Sequence, residues 1–213
     1  MSSLELKTFL SIQEIKLELK DQKRLYSQDP AWCLDYIIVT LGKRWPEGEK
    51  VILTDVVCIY YYTQWLKKID PQYHWAEGQE AIIDLVRKDP TTPQNMEYLV
   101  YYSSYLKERN AEIEEMVLKH IPFFSFFYIL KNLNQKYPGI RWAEGEKNIL
   151  KDAEVCLLYM RLILKKRWPE GEQVILQNPD SNATILHDYL IWLRDVEPAR
   201  YQELKIRYNV YIP

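Results

Sequence analysis

The chain has 213 residues, of which 47% are hydrophobic and 27% are charged, and this balance is typical of a globular protein. Its 28 basic and 30 acidic residues give a net charge of −2, which lacks the basic excess of most nucleic-acid-binding proteins. The longest apolar stretch, Ile121 to Leu130, is about ten residues and too short to cross a bilayer. Residues 1–7 show no secretory signal, so a cytoplasmic protein without a membrane partner is expected.

The first predicted elements are two helices that form an N-terminal hairpin. One covers roughly Leu4 to Leu25, and Asp29-Pro30 then breaks it, because proline disfavours the helical conformation in the residue before it. An apolar helix from Trp32 to Leu41 completes the hairpin, which is assigned residues 1–43.

A six-residue phrase then recurs, in which Arg or His precedes Trp and Glu-Gly-Glu or Glu-Gly-Gln ends the phrase. Its four copies are residues 44–49, 74–79, 141–146 and 167–172. Each copy predicts a helix start, because Pro46 and Pro169 are tolerated in a first turn and acids there face the positive end of the helix dipole. Aliphatic residues seven and eight positions after each Trp share one helical face with it. A degenerate copy begins at Arg109, with Asn110 in place of the Trp.

The first helices end at acidic or amide residues, which can also cap the helices that follow. These breaks are Asp55, Asp89-Pro90, Asp152 and Asn178-Pro179. The second helices are apolar and rich in Tyr, and they cover residues 56–67, 96–107, 123–133, 153–165 and 184–194. A short last helix is expected near 198–207. Spacings of about 26–35 residues suit a two-helix unit.

The sequence therefore predicts an all-α protein, an α-solenoid of about six helical hairpins. A single helical-repeat domain over residues 1–213 is expected. After the N-terminal hairpin, its repeats are 44–73, 74–108, 109–140, 141–166 and 167–195, and its C-terminal cap is 196–213.

The repeated residues are predicted to join one hairpin to the next. Each Trp is expected in the core rather than on a ligand-stacking surface, and the Gly three residues later is expected to let a neighbouring helix approach closely. The Arg and the acids two and four residues after the Trp are expected to form a charge cluster. The structural set is Arg44, Trp45, Glu47, Trp75, Glu77, Arg141, Trp142, Glu144, Arg167, Trp168 and Glu170.

No catalytic function, metal site or cofactor is predicted. The chain has no GxSxG motif, no Gly-rich phosphate loop and no HExxH motif, and carboxylates that recur at nearly every joint do not suit a unique acid/base pair. Cys33, Cys58 and Cys156 each precede a Tyr by three residues, and they are expected to pack as small hydrophobic residues. His74 replaces the Arg of the motif and is expected to be a structural substitute.

Aromatic residues lie on more than one face of the second helices. One face has to pack in the core, and the others can line the concave surface, where Tyr offers a large contact area with a polar tip. The candidate binding residues are Tyr60, Tyr62, Tyr102 and Tyr105. Burial of both sides of the inner helices remains the alternative.

The segment from Cys156 to Glu172 resembles one unit of the tandem RWPEAE repeats of tailed-phage and prophage proteins. Cys156 and Met160 take the first two Ala positions of that unit, and Gly171 takes the third. The likeness extends over about residues 29–176. It implies tandem two-helix repeats and little about chemistry. Inserts at 70–72 and 131–139 depart from the pattern, and a specific site is expected where the array is irregular.

Two functions are compatible with this sequence. The first is a non-catalytic scaffold that captures a protein partner or a small ligand, and the phage resemblance implies an inhibitor or sponge of a host defence process. The alternative is a nucleic-acid-binding helical-repeat protein with a basic ridge, although nearby acids would neutralise that ridge. The ridge would comprise Lys43, Arg44, Arg141, Lys165, Lys166 and Arg167.

Overall fold

The computed structural model describes residues 27–177 and 182–209. Every regular element in these two stretches is a helix and none is a strand, which confirms the predicted all-α class. None of the helices described is both long enough and apolar enough to cross a membrane. The predicted helix over residues 4–25 and the predicted break at 178–179 lie outside the described residues.

Contacts between Cα atoms divide the chain into two compact units, with the boundary between Ile113 and Glu114. The first unit contains α1 (Pro30–Asp35), a π-helical segment (Tyr36–Leu41), α2 (Pro46–Ile52), α3 (Val56–Ile69), α4 (Ala76–Lys88) and α5 (Pro93–Ser103). Helix α3 packs against α1, α2, α4 and α5, so it lies at the centre of this unit. Helix α6 (Ala111–Leu118) spans the boundary.

The second unit contains the remaining helices. They are α7 (Pro122–Tyr128), a π-helical segment (Ile129–Leu133), α8 (Asn134–Lys136), α9 (Ala143–Ile149), α10 (Ala153–Tyr159), a π-helical segment (Met160–Leu164), α11 (Pro169–Gln177), α12 (Ala183–Val196) and α13 (Pro198–Tyr208). Helix α10 packs against α7, α9, α11 and α12, and it takes the central position that α3 has in the first unit.

The repeated phrase begins a helix in each of its four copies, as predicted. Trp45, Trp75 and Trp142 are the N-cap residues of α2, α4 and α9, and α11 begins at Pro169, directly after Trp168. The aliphatic residue seven positions after each Trp is buried, and these residues are Ile52, Ile82, Ile149 and Ile175. The phrase therefore sets both the start of the helix and its core-facing side.

Three Asp residues cap helices in the way the sequence predicts. The carboxylate of Asp29 accepts a hydrogen bond from the backbone N–H of Trp32 (2.9 Å), and Asp55 and Asp152 do the same for residues three positions later. These bonds satisfy backbone donors that have no partner inside the helix.

Helix α5 is shorter than predicted at its C-terminal end. It was expected to continue to Lys107, but it ends at Ser103. The hydroxyl of Ser103 donates to the carbonyl of Val100 (2.7 Å), and that of Ser104 donates to the carbonyl of Tyr101 (2.6 Å). Such local bonds compete with continuation of a helix.

Three helices change to π-helical geometry next to a tyrosine, at Tyr36, Tyr128 and Tyr159. The first of these segments is followed by Gly42 and the third by Lys165, and both residues have left-handed backbone (φ 61° and 51°). A left-handed residue after a helix is a common way to end it. The first and third π-helical segments lie directly before the loops that lead to the repeated phrase, and α8 separates the second segment from its loop.

Candidate functional site

The first joint between repeats is built around a buried carboxylate, that of Glu49. Arg44 donates to it through two nitrogens, Nε (2.8 Å) and Nη2 (2.7 Å), and the hydroxyl of Tyr62 donates to Oε1 (2.5 Å). Glu49 is 6% exposed and Tyr62 is fully buried. The charge cluster predicted at this joint is therefore present, with an added hydroxyl donor from α3.

The second unit repeats this arrangement. Arg141 donates to Glu146, and the hydroxyl of Tyr159 donates to the same carboxylate (2.6 Å). At the next joint, Glu172 accepts from Arg167, from Arg200 and from the hydroxyl of Tyr189. The degenerate copy keeps part of the pattern, since the hydroxyl of Tyr128 donates to Glu114 (3.0 Å).

The acid that holds the joint lies four residues after the Trp, not two. The acids two residues after the Trp were predicted to belong to the structural set, but all four are exposed in the first helical turn; they are Glu47, Glu77, Glu144 and Glu170. Residues at i and i+4 share a helical face, so the acid four residues after the Trp lies on the same buried face as the Trp. The first acid remains at the solvent side, near the positive end of the helix dipole.

The Gly of the repeated phrase accommodates the Trp of its own copy. A Cβ atom at Gly48, Gly78, Gly145 or Gly171 would lie 2.1–2.6 Å from Cε3 of the Trp three residues earlier. The sequence-based expectation that this Gly admits a neighbouring helix was therefore wrong. The indole folds over its own first turn, where a β-carbon would displace the ring.

Each Trp ring also contacts a Tyr ring from the preceding helix. The ring centroids are 4.9–5.5 Å apart in the four pairs, which are Tyr36–Trp45, Tyr62–Trp75, Tyr128–Trp142 and Tyr159–Trp168. Trp75, Trp142 and Trp168 are buried, as predicted, and Trp45 is half-buried. Tyr62, Tyr128 and Tyr159 each donate their hydroxyl to the acid of one joint and pack their ring against the Trp of the next.

Hydrogen bonding at the joints changes the acidity of the groups involved. Burial by itself raises the pKa of Glu49, but hydrogen bonds from Arg44 and Tyr62 lower it, and the net shift is downward. The pKa of Tyr62 is raised, mainly by burial and then by its bond to Glu49. The carboxylate therefore stays charged and the phenol stays protonated at neutral pH, which is the state that the hydrogen bond requires.

The second copy of the phrase lacks this charge pair because His74 and Gln79 replace both partners. The hydroxyl of Tyr102 is 3.4 Å from the carbonyl oxygen of Trp75 instead of meeting a carboxylate. An open cleft of about 320 Å³ lies beside His74 and Gln79, and Lys107 also lines it. The joint keeps its Trp but has different polar chemistry.

The structure separates the four candidate binding tyrosines into two pairs. Tyr62 and Tyr102 are 0% and 1% exposed, so their assignment to an open binding face was wrong. Their rings pack inward because each lies on the face of its helix that meets the neighbouring helices. Tyr60 and Tyr105 are half-buried and remain accessible.

Tyr60 and Tyr105 belong to a larger cluster, here named the tyrosine patch. Its members are Tyr60, Tyr61, Tyr98, Tyr101 and Tyr105. Tyr60 is central, with ring centroids of the other four at 5.1–6.0 Å. Tyr61 is 43% exposed and the others are half-buried. The patch is formed by α3, by α5 and by the turn after α5, all in the first unit.

Hydroxyl groups of the patch are connected to one another. Burial, followed by a hydrogen bond with Tyr105, raises the pKa of Tyr60, and a hydrogen bond with Tyr61, followed by burial, raises that of Tyr98. Nε2 of Gln64 donates to the hydroxyl of Tyr105 (3.2 Å). The raised pKa values keep the phenols of Tyr60 and Tyr98 protonated at neutral pH, so both hydroxyls can donate as well as accept hydrogen bonds.

Sequence reasoning missed three members of the patch: Tyr61, Tyr98 and Tyr101. The spacing of positions 98, 101 and 105 was a usable signal, because residues at i, i+3 and i+7 share one helical face. Tyr61 had no such signal, since its position in the Tyr60-Tyr61-Tyr62 run does not show which ring points inward.

Other reactive groups are inert or already paired. All three cysteines are buried, and burial, with a smaller effect of nearby Asp residues, raises the pKa of Cys33 to about 11 and of Cys58 and Cys156 to about 12. Among the described residues, no group of three or more His, Cys, Asp and Glu side chains is placed to hold a metal ion. Arg44, Arg141 and Arg167 of the proposed basic ridge are each ion-paired.

Comparisons with protein families, with curated proteins and with solved structures gave no match for this chain. The resemblance to the phage RWPEAE repeats therefore rests on the sequence pattern alone.

Proposed function

We propose that this protein is a non-catalytic binding protein, a helical-repeat scaffold that captures a protein partner or a small ligand on the tyrosine patch. The observation that carries the proposal is the contiguity of five accessible tyrosine rings on α3, on α5 and on the turn after α5. Tyr is enriched in binding surfaces because it offers a large, stiff contact area and a hydroxyl at low entropy cost.

We further propose that the helices form an α-solenoid of about six hairpins. The support is the recurrence, in both units, of one joint built from Arg, Trp, Gly and Glu with a tyrosine from the neighbouring helix. Solenoid proteins generally use their repeated helices as an extended surface for recognition.

The biological setting proposed is the cytoplasm of a bacterial cell infected by a phage. There the protein would act as an inhibitor or sponge of a host defence process. This part of the proposal is supported by the resemblance of the repeated phrase and by the absence of a nucleophile motif from the sequence.

A matched set of tagged proteins tests the binding function. Three tagged proteins are purified from bacterial cells that carry the host defence process: the parent, a Tyr61→Ser/Tyr98→Ser variant and a Tyr208→Ser control. Proteins, and small molecules released on denaturation, are then quantified by mass spectrometry. Tyr208 is a half-buried tyrosine of α13, outside the patch.

We expect a partner or ligand at about one-to-one stoichiometry with the parent and the control, and a clear loss with the patch variant. Recovery of nothing at stoichiometric level, or equal recovery with the patch variant, contradicts the proposal. DNA and RNA are added in a separate gel-shift assay at low salt, because a shift there would favour the nucleic-acid alternative.

A further inference from the structure

The arginines at the joints differ in how many of their guanidinium nitrogens donate to an acceptor. Arg44 binds Glu49 through Nε and Nη2, and its Nη1 donates to the hydroxyl of Tyr73. Arg167 binds Glu172 in the same way, and its Nη1 donates to Glu197 (3.3 Å). In both cases Nη1 donates to an acceptor that lies about one repeat later in the chain.

Arg141 lacks that third partner within the part of the chain that the structure describes. Its Nε and Nη2 donate to Glu146, and the guanidinium also interacts with the hydroxyl of Tyr159, but among the described residues no acceptor from the following repeat meets Nη1. Tyr73 lies two residues before Trp75, and the residue in the same position before Trp168 is Lys166. A cation thus stands where the first joint has a hydroxyl acceptor.

A cavity of about 280 Å³ lies at this place in the second unit. Arg141, Lys166 and Tyr159 line it, together with the aliphatic side chains of Ile129, Ile163 and Leu164. No Asp or Glu is among its lining residues. The cavity therefore combines two cationic groups with an apolar wall.

The local backbone is unusual on two sides of this cavity. Ile129 begins one π-helical segment, and Ile163 and Leu164 end another. Lys165, directly before Lys166, has left-handed backbone, which is uncommon outside glycine. π-Helical turns occur frequently at functional sites, so both features favour a binding site over a packing defect.

The charges at this joint leave a positive excess. Glu146 is bound by Arg141 and cancels its charge, and Lys166 then adds one further positive charge. Glu170 also acts electrostatically on Arg141, but it is not among the residues that line the cavity. An anionic group inside the cavity would thus meet a positive field and an arginine nitrogen with spare hydrogens.

We propose that this cavity binds a small organic anion, a carboxylate or phosphate ester with a compact apolar body. The anionic oxygens accept from Nη1 of Arg141 and from Nζ of Lys166, and the body packs against Ile129, Ile163 and Leu164. The ligand thus supplies the acceptor that Tyr73 and Glu197 supply at the other joints. The cavity volume is at the lower limit of small-molecule sites, about 300 Å³, which restricts the ligand to a small one.

Three probes separate the charge from the apolar body: inorganic phosphate, benzoate and benzyl alcohol. Binding is followed by NMR of the isoleucine methyl groups at low ionic strength, because screening weakens such contacts at high salt. We expect saturable shifts of the Ile129 and Ile163 methyl signals with benzoate, weaker binding of phosphate and no saturable binding of benzyl alcohol.

Variants at one position connect the binding to the cavity. Lys166→Tyr gives this joint the residue of the first joint, and Lys166→Gln only removes the charge. Both are expected to weaken benzoate binding about tenfold, which corresponds to roughly 1.4 kcal/mol. Lys147→Gln removes an exposed charge of α9 outside the cavity and should leave the affinity within about twofold.

Absence of saturable shifts with either anion overturns the proposal, as does benzyl alcohol binding as tightly as benzoate. Equal affinity of Lys166→Gln and the parent also overturns it. Circular dichroism of each variant shows whether the helices are intact, and Lys166→Gln remains informative if Lys166→Tyr fails to fold.

Discussion

Removing a single hydroxyl group tests the structure of the joints directly. The hydroxyl of Tyr159 donates to Glu146 (2.6 Å), and its ring lies 5.2 Å from that of Trp168. Tyr159→Phe keeps the ring in place and removes only the hydrogen bond. Glu146, which is 9% exposed, then retains Arg141 as its remaining side-chain donor.

The loss of stability follows from the charge on the acceptor. A hydrogen bond to a charged group contributes about 1.5–3 kcal/mol. Arg141 is about half exposed, so water can reach part of the joint and the lower part of that range is expected, about 2 kcal/mol. Urea unfolding followed by circular dichroism measures the change. Tyr201→Phe is the control, because Tyr201 is also buried and its contact in the structure is a cation–π one with Lys205.

A double-mutant cycle with Glu146→Gln isolates the pair. If the hydroxyl acts through this carboxylate, the two changes should couple by about 1 kcal/mol. Equal unfolding midpoints of Tyr159→Phe and Tyr201→Phe, or additivity in the cycle, would refute the assignment of the hydroxyl to the joint.

Three further predictions concern packing and acid stability. Trp168→Ala should lower the free energy of unfolding by about 3–5 kcal/mol, since it leaves a cavity in the second unit, and thermal denaturation measures this. Tyr102→Ala should cost a similar amount, about 3–5 kcal/mol, whereas the exposed Tyr61→Ala should stay within about 0.5 kcal/mol. Burial raises the pKa of Glu172, but hydrogen bonds, first among them the one from Arg200, lower this pKa by more than burial raises it. The net shift is downward. The stability that Glu172 contributes should therefore be complete above its unfolded pKa of about 4.5 and should be lost as the pH falls through the lower folded pKa. Urea unfolding at several acidic pH values measures this loss, and Glu172→Gln should make the free energy of unfolding depend less steeply on pH there.

These three predictions fail in different ways. A Trp168→Ala protein that melts like the parent while losing a partner would show that the ring serves binding instead of packing. Equal melting of Tyr102→Ala and Tyr61→Ala would contradict the separation of core tyrosines from the patch. An unchanged acid limb in Glu172→Gln would show that the stability of the joint does not depend on this carboxylate.

The helix starts were predictable because their causes are local. A proline or alanine follows each Trp, and Asp55 and Asp152 cap the helices after them, so each signal lies within a few residues of its effect. The π-helical segments were not predictable. One begins at Tyr36, and the other two begin directly after Tyr128 and Tyr159. Tyr62 and Tyr189 lie in regular helix, so the tyrosine alone does not determine the geometry.

The candidate site was predictable only in part, because neighbouring residues of a helix point in different directions. Tyr60 and Tyr62 are two residues apart, and one lies on the patch while the other is in the core. What decides between them is the position of Glu49, thirteen residues earlier in the chain, whose carboxylate accepts from Tyr62. Composition and periodicity identify aromatic helices, but the direction of each ring depends on a partner from another helix.

The second copy of the phrase shows which part of the joint the fold requires. It has neither the Arg nor the Glu, yet Trp75 is 3% exposed, lies over Gly78 and has the ring of Tyr62 at 4.9 Å. The contact of Trp with Gly and Tyr thus persists without the ion pair, as expected when desolvation offsets much of the gain from a buried pair. The polar partners can therefore diverge at little cost to the fold. The cleft beside His74 and the cavity beside Lys166 both lie where such divergence has occurred, so ligand-specific chemistry can develop there without loss of the repeat.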